Sequence, residues 1–423
     1  MTPITAERRQ PLLVVGHGLR SVPALQIVEA ASGLCEILWL IDESVPENVS
    51  TSRLLRKVGA VVNIAGLSPE EITSVVRTRA PDGVVAYRDE DIILLSEIAE
   101  ELGLDYHTPE VARRLLDKLS QREALRKSGL PTPLCWEVPA DRDLAAIEAL
   151  ARQVAFPAVL KPRMGSGGRY TMPVSDASDL VHSICQLPPR AGDSTGMFVE
   201  QYLPGISTGR SDRFGDYVSV ESLVSAGDIS HAAVTGRFPL AEPFRETGAF
   251  IPAALSDAQL EGVLEVATAA LHALEVRTGA FHTEIKLTPD GPRVLEVNGR
   301  LGGGIPEILF QASAVSLFQL SMRVALGEAV VVDGPIPCSR VGWRFTFQPP
   351  ASARRVVSIE GLDRLAELAG VNAIFVNRGP GEPIDWHEGT GHYVYTVYGV
   401  SPDYDGLLEI DRFLHEEVSI VYE

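Results

Sequence analysis

Two glutamates, Glu284 and Glu296, stand in a stretch whose pattern predicts that they face one another. The flanking runs FHTEIKL and RVLEVN alternate like strands, and the intervening TPDGP is strong turn chemistry, so a β-hairpin is predicted. If the five-residue loop leaves Leu287 opposite Arg293, Glu284 falls directly opposite Glu296. Because opposed like charges destabilise a sheet, we expect a cation between the two carboxylates.

The same register places His282 opposite Asn298 and adds an amide oxygen beside the glutamates. Oxygen-only ligands from Glu284, Glu296 and Asn298 favour Mg²⁺ or Mn²⁺ over zinc, and Mg²⁺ with few protein ligands usually shares its shell with phosphate. Arg300 continues the same alternating face. A plainer interpretation is a solvated hairpin with two exposed glutamates and an apolar back, and the hairpin residues alone allow both.

A lysine, Lys161, precedes a glycine-rich loop in AVLKPRMGSGGRY. Glycines let backbone N–H groups approach phosphate oxygens, and the lysine adds a positive charge on the same anion. The alternative is a hairpin turn with an ordinary surface lysine. Against it, the chain has five lysines among 37 basic residues, so arginine is the usual surface cation. Lysines at positions 118, 161 and 286 therefore indicate a specific role.

The elements that position these residues begin with an α/β unit, in which the short apolar runs LLVV, EILWLI, AVVNI and GVVAY alternate with helical patterns. Further on, the apolar spacing from 256 to 275 predicts a long amphipathic helix just before the hairpin. At 423 residues, two to four domains are expected.

Composition excludes several classes of protein. A net charge of −19 with no long basic run argues against nucleic-acid binding and favours small-molecule substrates. The four cysteines are dispersed without a Cys-x-x-Cys pair, so neither a zinc site nor disulfides are expected and a reducing cytoplasm is the predicted location. The chain has no apolar run of 18 residues, so membrane insertion is not predicted.

The order of these motifs resembles that of the ATP-grasp carboxylate–amine ligases, most nearly the bacterial L-amino acid ligases. The matching pieces run from 12 to 327 and comprise Lys118, Lys161 with its glycine loop, EQYL at 200–203, Glu284, EVN at 296–298 and Arg300. The resemblance implies an ATP-grasp fold of mixed α/β and α+β class. Its expected domains are an N-terminal Rossmann-like domain at 1–110, a two-part ATP-grasp domain at 111–328 and a C-terminal lid-like α+β domain at 329–423.

The resemblance also implies roles for individual residues. Lys118 and Lys161 would contact ATP phosphates, the backbone of the 200–203 segment would bond the adenine edge, and Arg300 would stabilise the acyl-phosphate and tetrahedral intermediate. The implied ATP-binding set is Lys118, Lys161, Gly165, Ser166, Gly167, Gly168, Glu200, Gln201, Tyr202, Leu203 and, near the place of a ribose-binding acid, Asp216. Glu284, Glu296 and Asn298 would bind Mg²⁺ or Mn²⁺.

The substrate side of the site is expected around Glu90, which follows the strand at 83–87 where open parallel sheets place ligand contacts. The resemblance implies that Glu90 binds the ammonium group of the substrate. A plainer interpretation is that it belongs to an acidic first turn that stabilises a helix N-terminus. His231 would line the same cavity, and the glycines after Arg300, Gly303 and Gly304 among them, would leave room for a bulky side chain.

The resemblance thus implies an ATP-dependent ligase that joins a carboxylate, an amino acid by expectation, to an amine through an acyl phosphate. Its partners would be ATP and small molecules, with no nucleic acid or membrane, and a homodimer is compatible with it. The nearest alternative is a bicarbonate- or formate-activating enzyme of biotin-carboxylase or purine-pathway type. A non-catalytic nucleotide-binding module is a further alternative from a different class.

Overall fold

The computed structural model describes residues 9–18, 22–188 and 196–423. Its N-terminal part is a parallel sheet covered by helices. Its strands are β1 (Leu12–His17), β2 (Glu36–Ile41), β3 (Ala60–Asn63) and β4 (Gly83–Val85), in the order β3-β2-β1-β4. The helices are α1 (Ala24–Ala31), α2 (Pro46–Leu55), α3 (Pro69–Arg77) and α4 (Ile92–Leu102). Strands and helices alternate, as predicted for an α/β unit.

A small antiparallel sheet follows two linking helices. Helices α5 (Pro109–Leu116) and α6 (Lys118–Lys127) lead to β5 (Cys135–Glu137), α7 (Leu144–Ala151), β6 (Ala158–Pro162), β7 (Met172–Val174), α8 (Ala177–Gln186) and β8 (Met197–Gln201). The strands lie in the order β5-β8-β6-β7, and α7 and α8 cover an apolar core of their own. This unit carries Lys161 and the glycine loop.

The remaining chain builds one large sheet. In chain order its elements are β9 (Tyr217–Ser225), β10 (Asp228–Arg237), β11 (Gly248–Ile251), α9 (Asp257–Ala273), β12 (Gly279–Thr288), β13 (Gly291–Asn298), α10 (Ile305–Ser313), α11 (Leu317–Ala325), β14 (Val341–Thr346), β15 (Val356–Glu360), α12 (Leu362–Ala366), β16 (Val371–Val376), β17 (Tyr395–Ser401), α13 (Tyr404–Glu417) and β18 (Ser419–Tyr422). Strands β15 and β18 form a separate pair.

The large sheet runs across the predicted boundary at 328. Its order is β13-β12-β9-β10-β11-β14-β17-β16, so strands from the last hundred residues extend the sheet that holds the hairpin. The C-terminal segment has a local apolar core, but Phe214, Phe238 and Phe250 from before the boundary belong to that core. The domain bounds 1–110, 111–328 and 329–423 stay a prediction, and the last segment shares its sheet and part of its core with the segment before it.

The predicted hairpin forms with a corrected turn. Glu284 pairs with Glu296 as predicted, whereas Leu287 pairs with Pro292 instead of Arg293, so the connection is shorter than the expected five residues. A bulge at Leu295 absorbs the extra residue between the turn and the glutamates. The register at the carboxylates is thus right because two local deviations compensate.

Helices cover both faces of the large sheet and fix its position. Helix α9, capped by Ser256 and Gln259, packs its apolar stripe on one face. Helices α10 and α11 lie between the other face and the N-terminal sheet, where Gly83 approaches the Ala325 carbonyl so closely that a Cβ would lie 2.1 Å from it. The two α/β layers consequently share one core.

None of the helices among the described residues is by itself long and apolar enough to span a membrane. The helices Ile305–Ser313 and Leu317–Ala325, bent by 113° at the break between them, are together long and apolar enough by length and composition alone. Most of these apolar side chains are buried in the core shared by the two sheets.

His107 makes the stability of the fold dependent on pH. The ring is buried against Tyr106 and Phe281, neither ring nitrogen has a hydrogen-bond partner, and burial lowers the pKa of His107 to about 3. The unfolded chain takes up this proton near pH 6.5, whereas the folded chain does not until pH falls much further. Stability is therefore lost as pH falls below about 6.5.

We expect His107→Leu to flatten this dependence. Between pH 7 and pH 5 the wild-type chain should lose about 2 kcal/mol more unfolding free energy than the variant, at about 1.4 kcal/mol per pH unit. Urea unfolding at both pH values measures the difference. The exposed His182, changed to alanine, is the control and should keep the wild-type slope. Equal slopes for wild type and His107→Leu would contradict a buried neutral imidazole.

Candidate active site

A pocket lies between the small sheet and the hairpin end of the large sheet. Lysines from three elements, the glycine loop, the segment after β8 and both facing glutamates converge on it. The lining includes Lys118, Lys161, Gly165, Ser166, Gly167, Gly168, Glu200, Gln201, Tyr202, Leu203, Tyr217, Phe244, Glu246, Glu284, Lys286, Leu295 and Glu296. The structure thus gathers the predicted phosphate-side residues in one place.

Lys161 and Glu200 form a buried ion pair at the base of this pocket. The Lys161 Nζ lies 2.9 Å from Glu200 Oε1, and Arg122 Nε donates to Glu200 Oε2 at 2.8 Å. Burial opposes the charge on Glu200, but Arg122 and Lys161 outweigh it and lower the pKa of this carboxyl. Burial lowers the pKa of Lys161, against the pull of Glu200. From the sequence, only the backbone of Glu200 was expected to take part in binding. The charged triad of Arg122, Glu200 and Lys161 was not predicted.

The segment from 200 to 203 lines the pocket, but two of its amides are already used. The N–H groups of Gln201 and Tyr202 donate to the carbonyls of Leu134 and Pro157 at 2.8 and 3.1 Å. Those two amides are therefore not available as donors to an adenine edge. Contacts from this segment would have to come from its carbonyl groups or from the Leu203 amide.

The glycine loop is held from two sides. Lys118 Nζ donates to the Gly165 carbonyl at 2.6 Å, and the Thr390 amide donates to the Gly167 carbonyl at 2.7 Å. Gly167 and Gly168 have φ of 67° and 70°, and a Cβ at Gly168 would lie 2.8 Å from the Phe244 carbonyl oxygen. Glycine is therefore required by backbone conformation and by close packing.

Each of the two facing carboxylates already has a protein cation beside it. Glu296 Oε1 lies 2.8 Å from Lys118 Nζ, and Glu284 Oε1 lies 3.4 Å from His282 Nε2. Burial opposes the charge on Glu284, but His282, Arg237 and Arg300 outweigh it and lower its pKa. Each facing carboxylate is thus paired with a protein cation in the structure, so charge balance alone does not decide whether a metal lies between them.

The donor set nevertheless fits a magnesium ion that shares its shell with phosphate. Glu284 and Glu296 both line the pocket and supply only oxygen ligands. Asn298 is buried opposite His282, outside the pocket lining. Within the described ranges no cluster of three or more His, Cys, Asp or Glu side chains could hold a metal alone. Two carboxylates would leave most coordination positions to phosphate and water, as is usual for Mg²⁺.

Behind Glu284 lies a buried charged network that sequence reasoning did not assemble. His282 Nδ1 contacts Glu221, and Arg237 Nη2 lies 3.2 Å from His282 Nε2. Burial opposes a charged imidazole, but Glu221 and Glu284 outweigh it and raise the pKa of His282 to about 9. A second Glu221 oxygen accepts from the Gly302 amide at 3.0 Å. The network links the carboxylate pair to the loop after Arg300.

Arg300 reaches the N-terminal domain through the neighbour of the predicted glutamate. Its Nη2 donates to Asp89 Oδ2 at 3.0 Å, and its Nη1 donates to the Leu301 carbonyl at 3.1 Å. Glu90 lies on the same short 3₁₀ turn, at 89–91, but is exposed to solvent. The structure therefore places Asp89 at Arg300, while a substrate role for Glu90 stays a prediction.

Other predicted substrate residues are placed differently. His231 bonds Ser222 Oγ at 2.9 Å and Thr268 Oγ1 at 2.8 Å, under helix α9 and on the sheet face opposite Glu221, so its assignment to the substrate cavity is wrong. Asp216 is paired with Lys286 at 2.7 Å, and a ribose contact by Asp216 stays a prediction.

The space expected at the glycines after Arg300 is largely filled. A Cβ at Gly304 would lie 2.2 Å from Arg344 Nη1, and one at Gly302 would lie 2.4 Å from His282 Nδ1. Only a side chain at Gly303 would meet open space. The glycines therefore accommodate protein side chains, which corrects the expectation of room for a bulky substrate there.

Several site residues missed from the sequence share one signal. Glu221 and Arg344 are charged residues inside strands β9 and β14, and Arg237 ends β10, where most neighbouring residues are buried. A charge in a buried strand costs much free energy unless it is paired, so such positions point to a network or a ligand. The sequence pattern could have identified them as unusual, although not their partners.

Comparison with known proteins finds relatives of limited similarity. No family model matches the chain. It is 28% identical over 314 residues to the uncharacterized protein y4rH of Sinorhizobium fredii, covering 71% of this chain and 60% of that protein. It is 27% identical over 263 residues to human carnosine synthase 1, covering 58% and 31% of the two chains. It is 24% identical over 248 residues to the alanine–anticapsin ligase of Bacillus subtilis, covering 55% and 51%. The match thus spans between about a third and three fifths of these relatives.

Solved structures match over almost the whole length. An L-amino acid ligase from Bacillus licheniformis superposes with a TM-score of 0.77 at 21% identity, covering 98% of this chain and 100% of that one. The biotin carboxylase domain of a 2-oxoglutarate carboxylase from Hydrogenobacter thermophilus, solved with MgADP and bicarbonate, gives 0.68 at 15% identity over 98% and 91%. These matches confirm the predicted fold. The fold of the chain is therefore the ATP-grasp fold.

Proposed function

We propose that the chain is an ATP- and Mg²⁺-dependent ligase that joins the carboxylate of an amino acid to an amine. The observation that carries the proposal is the pocket that Lys118, Lys161 and Lys286 line together with the two facing glutamates, with Arg300 four residues after Glu296. The structural neighbour solved with MgADP supports the cofactors, and the proteins named as ligases support the reaction class. The reacting partners themselves are part of the proposal.

The pocket supplies cations where the phosphates of ATP would lie. Lys118 and Lys161 would hold the phosphate oxygens, and the glycine loop would cover them with backbone amides. Glu284 and Glu296 would hold Mg²⁺, which when bound neutralises the charge of the transferring phosphoryl group. Lys118 and Lys161 are also paired with Glu296 and Glu200, and these pairs hold both ammonium groups in the pocket.

The reaction proceeds in two balanced steps. A carboxylate oxygen attacks the γ-phosphorus, the bond to the β-phosphate bridging oxygen breaks, and ADP leaves an acyl phosphate. The amine then attacks the acyl carbon, loses a proton and expels inorganic phosphate, which leaves an amide. Arg300, fixed by Asp89, would stabilise the developing oxyanion, so the protein acts mainly through position and charge.

A phosphate-release assay tests the proposal against its alternatives. Purified protein with ATP and Mg²⁺ is supplied with pairs of amino acids, with single amino acids and with bicarbonate or formate. Phosphate release that needs both an amino acid and an amine, with the amide product seen by mass spectrometry, is the expected result. Dependence on bicarbonate or formate would replace the proposal by the carboxylating type. Nucleotide binding without turnover in any mixture would favour the non-catalytic module. Homodimer formation also stays a prediction.

The role of Lys161 is tested by Lys161→Met, which keeps the length of the side chain and removes the charge. We expect the KM for ATP to rise by about 10- to 100-fold, because a charge-assisted phosphate contact contributes about 1.5–3 kcal/mol. The KM for the amino acid should change little. Steady-state kinetics against each substrate separates the two effects. The exposed Lys127, changed to methionine, serves as control, and an unchanged KM for ATP in Lys161→Met would refute the contact.

A further inference from the structure

A second basic group lies beside the loop that follows Arg300. Arg344, on strand β14, donates from Nη1 to the Gly303 carbonyl at 2.7 Å. Gly304 has φ of 74°, and a Cβ there would lie 2.2 Å from the same nitrogen. The absence of a side chain at position 304 therefore makes the space that the guanidinium fills. Gly303 itself is exposed, so this part of the loop is reached from solvent.

The guanidinium is connected to the carboxylate site through charged residues. Glu246, which lines the pocket, lies 3.0 Å from Arg237 Nη1 and 3.6 Å from Arg344 Nη2. Arg237 in turn contacts His282, which is the neighbour of Glu284. Arg344 thus lies behind Glu246, outside the lining of the pocket, and beside the loop after Arg300.

This cation is only partly neutralised by the protein. Glu246 is shared with Arg237, and its 3.6 Å separation from Arg344 is too long for a hydrogen bond. In the described parts of the chain, no other carboxylate lies within 4.0 Å of this guanidinium. Tyr398 also interacts with it, and Arg344 Nε is buried without a hydrogen-bond partner. An arginine that is 12% exposed with donors to spare is suited to bind an anion.

Glu307 does not supply the missing charge. It stands in the first turn of α10, and one of its carboxylate oxygens is buried without a hydrogen-bond partner. Burial raises the pKa of Glu307, although Arg344 acts in the opposite direction. Among the described residues, Glu307 forms no ion pair within 4.0 Å of the Arg344 guanidinium.

We propose that Arg344 binds a second carboxylate of the substrate pair, one that is not phosphorylated. This inference rests on the ligase function proposed above and narrows its substrate class. The second carboxylate has two possible sources, namely the amino acid whose amine attacks, or an acidic side chain on the amino acid that is activated. In both cases the fork of the guanidinium would take the two carboxylate oxygens.

The test compares substrates that differ only in this carboxylate. Alanine and alaninamide are used as the attacking amine, and aspartate and asparagine as the activated acid, with wild type, Arg344→Gln and the control Arg340→Gln. Arg340 is exposed and lies four residues before Arg344. Wild type should favour the carboxylate-bearing member of one pair. A preference for alanine over alaninamide identifies the attacking amino acid as the source, and one for aspartate over asparagine identifies the side chain.

Arg344→Gln should raise the KM for the preferred carboxylate-bearing member by about 10- to 100-fold and remove the preference, with kcat and the KM for ATP nearly unchanged. Arg340→Gln should behave like wild type. The inference is overturned if wild type shows neither preference, or if Arg344→Gln leaves the preference intact. It is also overturned if all substrates, ATP included, are affected equally. Arg344→Lys, which keeps the charge but not the fork, should retain part of the preference and guards against loss of folding in the glutamine variant.

A binding measurement separates this inference from the ligase proposal. Calorimetric titration of aspartate, asparagine, alanine and alaninamide is done in the presence of Mg²⁺ and a non-hydrolysable ATP analogue. If no substrate pair gives turnover but Arg344→Gln selectively loses affinity for a carboxylate-bearing member, the ligase proposal fails and the carboxylate site stands. If wild type and Arg344→Gln bind all four compounds equally, the carboxylate site fails whatever the turnover.

Discussion

Replacement of Glu296 by glutamine is expected to lower ATP turnover by about a thousand-fold, equivalent to about 4 kcal/mol of transition-state stabilisation at tenfold per 1.36 kcal/mol. The variant keeps the shape of the side chain and its hydrogen bond to Lys118, but leaves Glu284 as the only carboxylate for Mg²⁺ in the facing pair. The transferring phosphoryl group would then lose much of its neutralisation. A phosphate-release assay over a range of Mg²⁺ concentrations measures the effect.

The fold should survive this change, because the glutamine relieves repulsion between the two facing carboxylates while Lys118 retains an acceptor. Urea unfolding within about 2 kcal/mol of wild type would establish that the loss is chemical. Glu360→Gln, an exposed strand position in the β15–β18 pair, is the control and should leave turnover unchanged. Turnover of Glu296→Gln that retains the wild-type dependence on Mg²⁺ would contradict the assignment of this residue as a ligand.

The facing glutamates were predictable because local patterns decide them. Alternation with period two and a strong turn sequence specify a hairpin, and register then follows from counting residues. The count was wrong by one at the turn, and the bulge at Leu295 restored the pairing of Glu284 with Glu296. The bulge is stabilised by a tertiary contact, the hydrogen bond from Arg122 to the Leu295 carbonyl. Because Arg122 lies outside the hairpin, the hairpin sequence alone does not predict this contact.

The long-range features could not be read in the same way. The extension of the large sheet by β14, β17 and β16 depends on pairing between β11 and β14, which are separated by almost a hundred residues of sequence. His231 was misplaced because its strand alternates, and period two alone does not say which face meets helix α9. The charge of Arg344 is unusual in its buried strand, but its bond to the Gly303 carbonyl could not be predicted, because it depends on the space left by Gly304.

The second large effect is expected from Arg122, a buried charge beside the pocket. Its guanidinium, 2% exposed, binds both oxygens of Glu200 at 2.8 and 3.3 Å and also donates to the carbonyl of the bulge residue Leu295. Removing one partner of a buried ion pair typically costs about 3–5 kcal/mol, because the remaining charge is left buried and poorly compensated. Here Glu200 would keep only Lys161.

We therefore expect Arg122→Met to lower the unfolding free energy by about 3–5 kcal/mol in urea unfolding followed by circular dichroism. Arg126→Met, at an exposed position one turn further along α6, is the matched control and should change stability by less than about 0.5 kcal/mol. A double variant with Glu200→Gln should be less destabilised than the sum of the two single changes, because the second change removes the charge that the first left unpaired. Arg122→Met within about 1 kcal/mol of wild type, or strictly additive effects, would show that the triad is not a coupled unit.

Because Arg122 also holds the bulge that aligns Glu284 with Glu296, the surviving folded fraction should need more Mg²⁺ for half-maximal turnover than the Arg126→Met control.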